Sequence, residues 1–129
     1  MLHPKILIAE EEPQRAQSLQ ASLESAGFQV FHATDTTSAW KIIRAQSLVL
    51  ALIDANLPGL SRCNLLLYLR ADPSLAKLPV VILGEPTASD QAVKWLNLGA
   101  DAYIGRSISS QLLMAYLHAQ LRRSYPPDG

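Results

Sequence analysis

A single carboxylate ends the most apolar segment of the chain. Residues 48–53 are uninterrupted apolar residues, and Asp54 follows them directly. A carboxylate in this position either binds or attacks a ligand, or it caps a loop. Glu10 and Glu11 follow a second apolar run, KILIA at residues 5–9, in the same way. If the two runs are neighbouring strands, three carboxylates meet at one edge and need a counter-charge.

The sequence offers two sources of positive charge for this acidic cluster. A hard divalent cation such as Mg²⁺ prefers carboxylate oxygens as ligands. Arg106 follows the short segment DAYI at residues 101–104, and a guanidinium can bind a carboxylate through two parallel hydrogen bonds. The residue types alone leave both alternatives open.

Strand and helix patterns alternate along the whole chain. Apolar runs typical of strands are separated by segments in which apolar residues recur at spacings of three and four, as on one face of a helix. The predicted strands are residues 5–9, 28–32, 48–53, 78–83 and 101–104, each followed by a predicted helix. Such alternation implies right-handed crossovers, and it predicts an α/β fold with a five-stranded parallel sheet and five helices on its two faces.

Composition limits the class of protein. The 129 residues suit one domain, predicted over residues 1–124, with residues 125–129 as a tail or the start of a linker. Eleven Lys and Arg balance eleven Asp and Glu, which argues against binding of nucleic acid or anionic membrane through general electrostatic attraction. The one cysteine, Cys63, excludes an internal disulfide. Because the N-terminus has no signal-peptide pattern and no apolar run could span a bilayer, a cytoplasmic protein is predicted.

Four segments, in this order and at these distances, resemble the receiver domain of bacterial two-component response regulators. They are KILIAEEEP, LVLALIDANLPG, LPVVILG and LGADAYIGRSIS. The resemblance implies strand order 2-1-3-4-5 and a signalling module rather than an enzyme. It also implies that Asp54 accepts a phosphoryl group from a histidine kinase. The Mg²⁺ ligands that it implies are Glu10, Glu11, Asp54 and the backbone of Asn56.

Several positions depart from the pattern of that family. Gly84 stands where the family has a Ser or Thr that bonds the phosphoryl group, and Arg106 and Ser107 stand where it has Lys and Pro. Arginine is planar and longer than lysine, and glutamate is one methylene longer than the usual aspartate in a site where Mg²⁺ tolerates little misfit. We therefore predict a bidentate ion pair between Arg106 and Asp54, with Mg²⁺ bound weakly or not at all and the phosphoryl switch weakened or absent. The alternative is a working receiver that uses Asp54 with Mg²⁺.

An aspartyl phosphatase is the enzyme alternative, since it also uses an aspartate followed closely by a second polar residue. That chemistry needs a general acid two residues after the nucleophile, and Asn56 is not ionisable. The sequence therefore favours a module that is not an enzyme.

Partner binding is predicted on the face formed by the fourth helix, the fifth strand and the fifth helix, which receivers use for partners and dimers. A helical wheel of the fourth helix places Val93 and Leu96 inward and Trp95 at the edge, so Trp95 either fills a side gap or forms a partly exposed anchor. Tyr103 matches an aromatic that turns inward when a receiver is activated. The predicted surface residues are Trp95, Tyr103, Leu112 and Tyr116. The predicted partners are a histidine kinase or other signalling protein, and a second copy of the chain through this face.

Overall fold

The computed structural model describes residues 3–60, 64–87 and 89–127, so Arg62 and Cys63 lie outside the described residues. Strands and helices alternate through these ranges in the predicted order. The strands are β1 (Lys5–Ala9), β2 (Gln29–Ala33), β3 (Leu48–Asp54), β4 (Val80–Gly84) and β5 (Ala102–Gly105). The helices are α1 (Pro13–Ser25), α2 (Thr36–Ala45), α3 (Leu65–Ala71), α4 (Ser89–Leu98) and α5 (Ser110–Ser124).

The sheet has the predicted order, β2-β1-β3-β4-β5, and all its neighbouring strands are parallel. Ala9 pairs with Ile53, so β1 and β3 end side by side. Gly84 pairs with Gly105 at the corresponding ends of β4 and β5. Because the carboxyl ends of parallel strands meet at one edge, the residues that follow these strands are brought together there.

Two hydrophobic layers cover the two faces of the sheet, as the alternation of side chains along a strand requires. Leu7, Ile53 and Ile82 pack on one face with buried residues of α2, α3 and α4. Ile6 and Leu52 pack on the other face with buried residues of α1 and α5. The central strand β3 is covered on both sides, which explains its continuous apolar sequence.

The orientation of α4 differs from the prediction. Trp95 is only 7% exposed and belongs to the core, whereas Val93 and Leu96 are exposed. Trp95 therefore fills space in the core and is not a surface anchor, and the inward placement of Val93 and Leu96 was wrong. Ala92 and Leu98 are partly buried at spacings of three from Trp95, so the indole sets the buried side of this short helix. A large ring removes more apolar surface from water than Val93 or Leu96 would.

The start of α1 places an arginine beside the acidic cluster. Pro13 is the first residue of α1, and Glu12 is its N-cap. The Glu12 carboxylate accepts hydrogen bonds from the amides of Gln14 and Arg15, at 3.1 and 2.8 Å. These backbone hydrogen bonds, first that of Arg15 and then that of Gln14, lower the pKa of Glu12. The cap fixes Arg15 in the first turn, next to the end of β1.

The remaining helix ends follow the same capping chemistry. Helix α2 is capped by Asp35, whose carboxylate accepts a hydrogen bond from the Ser38 amide at 2.7 Å. Helix α5 ends at Ser124, and the Tyr125 hydroxyl donates a hydrogen bond to the Val49 carbonyl at 3.0 Å. Among the described residues, no helix has the length and apolar character needed to cross a membrane.

Candidate functional site

The carboxyl edge of the sheet holds a cavity of about 460 Å³. Glu10 and Glu11 reach it from the end of β1, and Asp54 and Asn56 reach it from the end of β3. The four residues predicted as metal ligands therefore share one cavity. The remaining lining residues are Glu12, Pro13 and Arg15, from the start of α1.

Asp54 forms the bidentate ion pair with Arg106 that the sequence predicts. Arg106 Nε donates to Asp54 Oδ2 at 2.9 Å, and Arg106 Nη2 donates to Asp54 Oδ1 at 3.0 Å. The amide of Asn56 also donates to Oδ1, at 2.7 Å. The Asp54 side chain is 3% exposed and that of Arg106 is 19% exposed. The arginine is held in place through its own amide, which donates to the Gly84 carbonyl at 2.7 Å.

The charges of this pair stabilise each other. Burial is the largest influence on the pKa of Asp54 and raises it, but the hydrogen bonds from Arg106 and from the Asn56 amide help to bring the pKa below its ordinary value of 3.8. The hydrogen bond with Asp54 is the largest influence on Arg106 and raises the pKa of its guanidinium. Asp54 is therefore an ionised carboxylate whose two oxygens are both engaged.

A second arginine, which the sequence analysis missed, neutralises Glu10. Arg15 Nε donates to Glu10 Oε1 at 2.9 Å, and Arg15 Nη2 approaches Glu10 Oε2 at 3.3 Å. The hydrogen bond to Glu10 is the main cause of the raised pKa of Arg15. The signal was present in the sequence, because a helix that starts at Pro13 puts Arg15 in its first turn, within reach of the strand end.

The acidic cluster in this arrangement does not fit Mg²⁺. Glu10 and Asp54 each bind a guanidinium, and Glu11 is exposed. Within the described ranges, no three acidic, histidine or cysteine side chains are grouped so that they could hold a metal. A unit positive charge about 4 Å from the guanidinium of Arg106 would be repelled by about 4 kcal/mol at an effective dielectric constant of about 20. A divalent cation would be repelled by about twice as much. A metal ion bound to Asp54 would therefore compete with Arg106 for the carboxylate oxygens.

The predicted switch residues Gly84, Arg106 and Tyr103 also lie together, at the ends of β4 and β5. The Tyr103 ring lies over Gly84, and its hydroxyl donates to the Glu85 carbonyl at 3.1 Å. Tyr103 is partly buried and packs against the core. No hydroxyl is available at position 84, and the ring takes the space beside it.

An apolar surface lies on the side of the molecule formed by α4, β5 and α5. Lys94, Trp95 and Leu98 line a small cavity with residues of α3, so Val93 and Leu96 fall on another side of α4, a helix that also contacts β4 and β5. We call the exposed residues of this side the α4–β5–α5 face: Val93, Leu96, Leu112 and Tyr116. Leu112 and Tyr116 also line a groove of about 590 Å³ beside Tyr103, the β5–α5 groove.

Comparisons with known proteins agree with this architecture. The family model of the response regulator receiver domain matches residues 6–118. Response regulator GtcR of Aneurinibacillus migulanus is 34% identical over 120 residues, which cover 93% of this chain and 48% of GtcR. The chain spans about half the length of the curated relatives it matches.

Solved structures resemble the chain along nearly its whole length. The signal receiver domain of a signal transduction histidine kinase from Syntrophus aciditrophicus has a TM-score of 0.85 and 25% identity, covering 98% of this chain and 96% of that domain. The receiver domain of sensor histidine kinase PA1611 from Pseudomonas aeruginosa PAO1 has a TM-score of 0.80 and 22% identity, covering 92% of this chain and 98% of that one. The latter holds a magnesium ion in its active site cleft, and its likeness to this chain concerns the fold alone.

Proposed function

We propose that this chain, which belongs to the family of response regulator receiver domains, is a protein-interaction module in which Arg106 replaces the divalent cation and the phosphoryl switch is weakened or absent. The observation that carries this proposal is the bidentate contact between Arg106 and Asp54. Members of this family are signalling modules, and we expect the chain to act as one rather than as an enzyme.

The ion pair disables Asp54 as a phosphoryl acceptor in two ways. Both carboxylate oxygens accept hydrogen bonds from Arg106, which lowers their nucleophilicity and places the guanidinium beside any group that approaches them. The transferred group also needs positive charge around its oxygens, which a metal ion ordinarily supplies. Arg106 cannot neutralise Asp54 and a phosphoryl group at full strength together, and Gly84 offers no hydroxyl to the latter.

Exposure to a small phosphodonor tests the proposal directly. The protein is incubated with acetyl phosphate or beryllofluoride and Mg²⁺, and its intact mass and Trp fluorescence are followed. We expect no stoichiometric adduct and no effect of Mg²⁺ alone. A stoichiometric adduct that disappears in Asp54→Asn would instead establish the alternative, a phospho-accepting receiver that uses Asp54 with Mg²⁺.

A matched variant makes a negative result informative. Arg106→Lys keeps the positive charge but removes the fork that engages both oxygens of Asp54. If the ion pair is what blocks the acceptor, this variant takes up more phosphoryl group and responds more to Mg²⁺ than the wild type. Equal behaviour of the two proteins would mean that Arg106 is not the cause.

For the partner surface we propose the α4–β5–α5 face together with Tyr103, with Val93 and Leu96 in place of Trp95. Four exposed apolar residues on one side of the domain are typical of a binding surface. The proposed partners are a histidine kinase or another signalling protein, and a second copy of the chain is the occupant if the domain dimerises. We expect no binding of nucleic acid or membrane through this domain, and a cytoplasmic location.

A further inference from the structure

A second cavity adjoins the two arginines, between α1 and α5, and has a volume of about 110 Å³. Arg15 and Arg106 both line it, and they are the charged residues among the described ones that do so. We call it the α1–α5 cavity, and its other lining residues are Ser18, Leu19, Leu83, Ile108, Ser110 and Leu113. The α1–α5 cavity therefore combines two cations and two hydroxyl groups with four aliphatic side chains.

Each of the two arginines has one edge of its guanidinium unengaged. Arg106 binds Asp54 through Nε and Nη2, and Arg15 binds Glu10 through the same two atoms. A guanidinium carries five N–H donors in a fixed fork, so the edge formed by Nη1 and the second hydrogen of Nη2 remains in each. In the part of the chain that the structure describes, neither Nη1 donates to the protein. A ligand can therefore bind these edges while both ion pairs stay formed.

The charges around the two arginines favour an anion with a single negative charge. The hydrogen bond with Asp54 raises the pKa of Arg106 most, whereas the nearby charge of Arg15 acts in the opposite sense. An anion placed between the two guanidinium groups offsets this repulsion. Glu10, and after it Asp54 and Glu12, raise the pKa of Arg15, so negative charge is also close by. A doubly charged anion would be repelled by these carboxylates more strongly than a singly charged one.

The size and walls of the α1–α5 cavity limit the ligand further. A cavity of about 150 Å³ accommodates benzene, so the ligand of this smaller cavity has fewer atoms than benzene. Aliphatic walls favour a ligand with an apolar part, and a guanidinium edge matches the two oxygens of a carboxylate. Ser18 and Ser110 are exposed, and their hydroxyls add two donors towards solvent.

We propose that the α1–α5 cavity is a binding site for a short-chain monocarboxylate. Its carboxylate accepts hydrogen bonds from the unengaged edges of Arg15 and Arg106, and its alkyl chain lies against Leu19 and Leu113. The site needs no metal ion. It does not depend on the proposed loss of the phosphoryl switch, because the ligand leaves the pairing of Arg106 with Asp54 in place.

An NMR titration of the ¹⁵N-labelled protein with sodium butyrate tests the proposal, with sodium chloride keeping the ionic strength constant. We expect saturable shifts of the Nε–H signals of Arg15 and Arg106 and of the amides of Leu19 and Leu113. Acetate is expected to bind about tenfold more weakly, because it buries two methylene groups fewer. Inorganic phosphate is also expected to bind more weakly. Shifts that do not saturate with butyrate overturn the site, and equally tight binding of acetate or phosphate overturns the assigned class of ligand.

Matched variants locate the bound butyrate. Ser18→Leu fills the cavity from α1 without a change of charge, and it is expected to abolish the saturable shifts. Gln17→Leu is the control, because Gln17 is equally exposed on α1 and does not line the cavity, so binding is expected to persist. Arg15→Gln is expected to lower the affinity about tenfold, through loss of charge-assisted hydrogen bonds. Undiminished binding in Ser18→Leu overturns the location, and undiminished binding in Arg15→Gln overturns the role of the paired arginines.

Discussion

Two arginine–carboxylate pairs stand at the same edge of the sheet and differ in how the chain makes them. Asp54 and Arg106 are 52 residues apart and meet only when β3, β4 and β5 have assembled. Glu10 and Arg15 are five residues apart and meet as soon as α1 starts at Pro13. The first pair is buried on the carboxylate side and mostly covered on the arginine side, whereas the Arg15 side chain is 45% exposed.

The two pairs differ in how strongly the free energy of unfolding depends on the counter-charge. Although Glu10 is buried, Arg15 remains solvated whether or not Glu10 is charged, so loss of the Glu10 charge leaves no cation uncompensated out of water. Arg106 depends on Asp54, because removing one partner of a covered ion pair leaves an uncompensated charge out of water. The free energy of unfolding therefore depends on the pairing of Asp54 with Arg106, whereas the protein tolerates a change of charge at Glu10.

The largest expected effect is that of Asp54→Asn on stability. Asparagine keeps the shape and still accepts the Asn56 amide, but it removes the charge that compensates Arg106. We expect a loss of about 2 kcal/mol in the free energy of unfolding, below the roughly 3–5 kcal/mol of a fully buried pair because Arg106 is partly exposed. Urea denaturation at neutral pH measures it.

Arg106→Lys is the matched control for that loss. Lysine keeps the charge near Asp54 and forms a single-point contact, so a loss of roughly half that size is expected. A stable Asp54→Asn protein would mean that Arg106 is adequately hydrated without its partner, and the distinction between the two pairs would disappear.

The second expected effect is a pH dependence produced by the pair of Asp54 and Arg106. The folded-state pKa of Asp54 lies below its ordinary value of 3.8. A carboxyl group with a lowered pKa contributes stability that is present above the unfolded pKa and is lost as pH falls through the folded one. The stability difference between wild type and Asp54→Asn should therefore be constant above about pH 5 and shrink below about pH 4.

Denaturation of both proteins across this range checks the prediction. Other carboxylates with lowered pKa, such as Asp35 and Asp72, are unchanged in the variant and cancel in the difference. A difference that stays constant down to about pH 3 would show that the pKa of Asp54 is the same in the folded and the unfolded protein, so that Arg106 does not lower it.

The sequence predicted the long-range pair and missed the local one, and the reason is physical. The positions of Asp54 and Arg106 follow from strand order, since both residues lie at the ends of strands that share an edge. The contact of Arg15 depends on the exact first residue of α1 and on the capping role of Glu12. Helix boundaries are the least predictable part of a pattern, because several residues can serve as caps.

The same limit explains the error on α4. Apolar residues at positions 92, 93, 95, 96 and 98 fit two helical faces that differ by a rotation, and composition does not select between them. The orientation of α4 is set by packing, because the Trp95 ring is buried in the core. The alternation of strands and helices and the two layers were predictable, because they depend on periodicity over the whole chain rather than on one helix. The order of the strands, which brings the acidic residues to one edge, was implied by the resemblance to receiver domains.

The smallest expected effect is that of Glu10→Gln. Glutamine has one acceptor oxygen, which can keep the hydrogen bond from the Glu12 amide that reaches Glu10 Oε2 at 3.1 Å, while the bond from Arg15 Nε to Oε1 is lost. Arg15 stays hydrated, and removal of a buried negative charge beside Asp54 offsets part of the lost attraction. We expect a change below about 1 kcal/mol in the free energy of unfolding at neutral pH.

The measurement is the same denaturation series as for Asp54→Asn, with Arg15→Gln as the reciprocal variant. If Glu10→Gln lowers the free energy of unfolding as much as Asp54→Asn does, burial of the carboxylate, and not of the arginine, determines the contribution of both pairs. Glu10 then needs its counter-charge no less than Asp54 does.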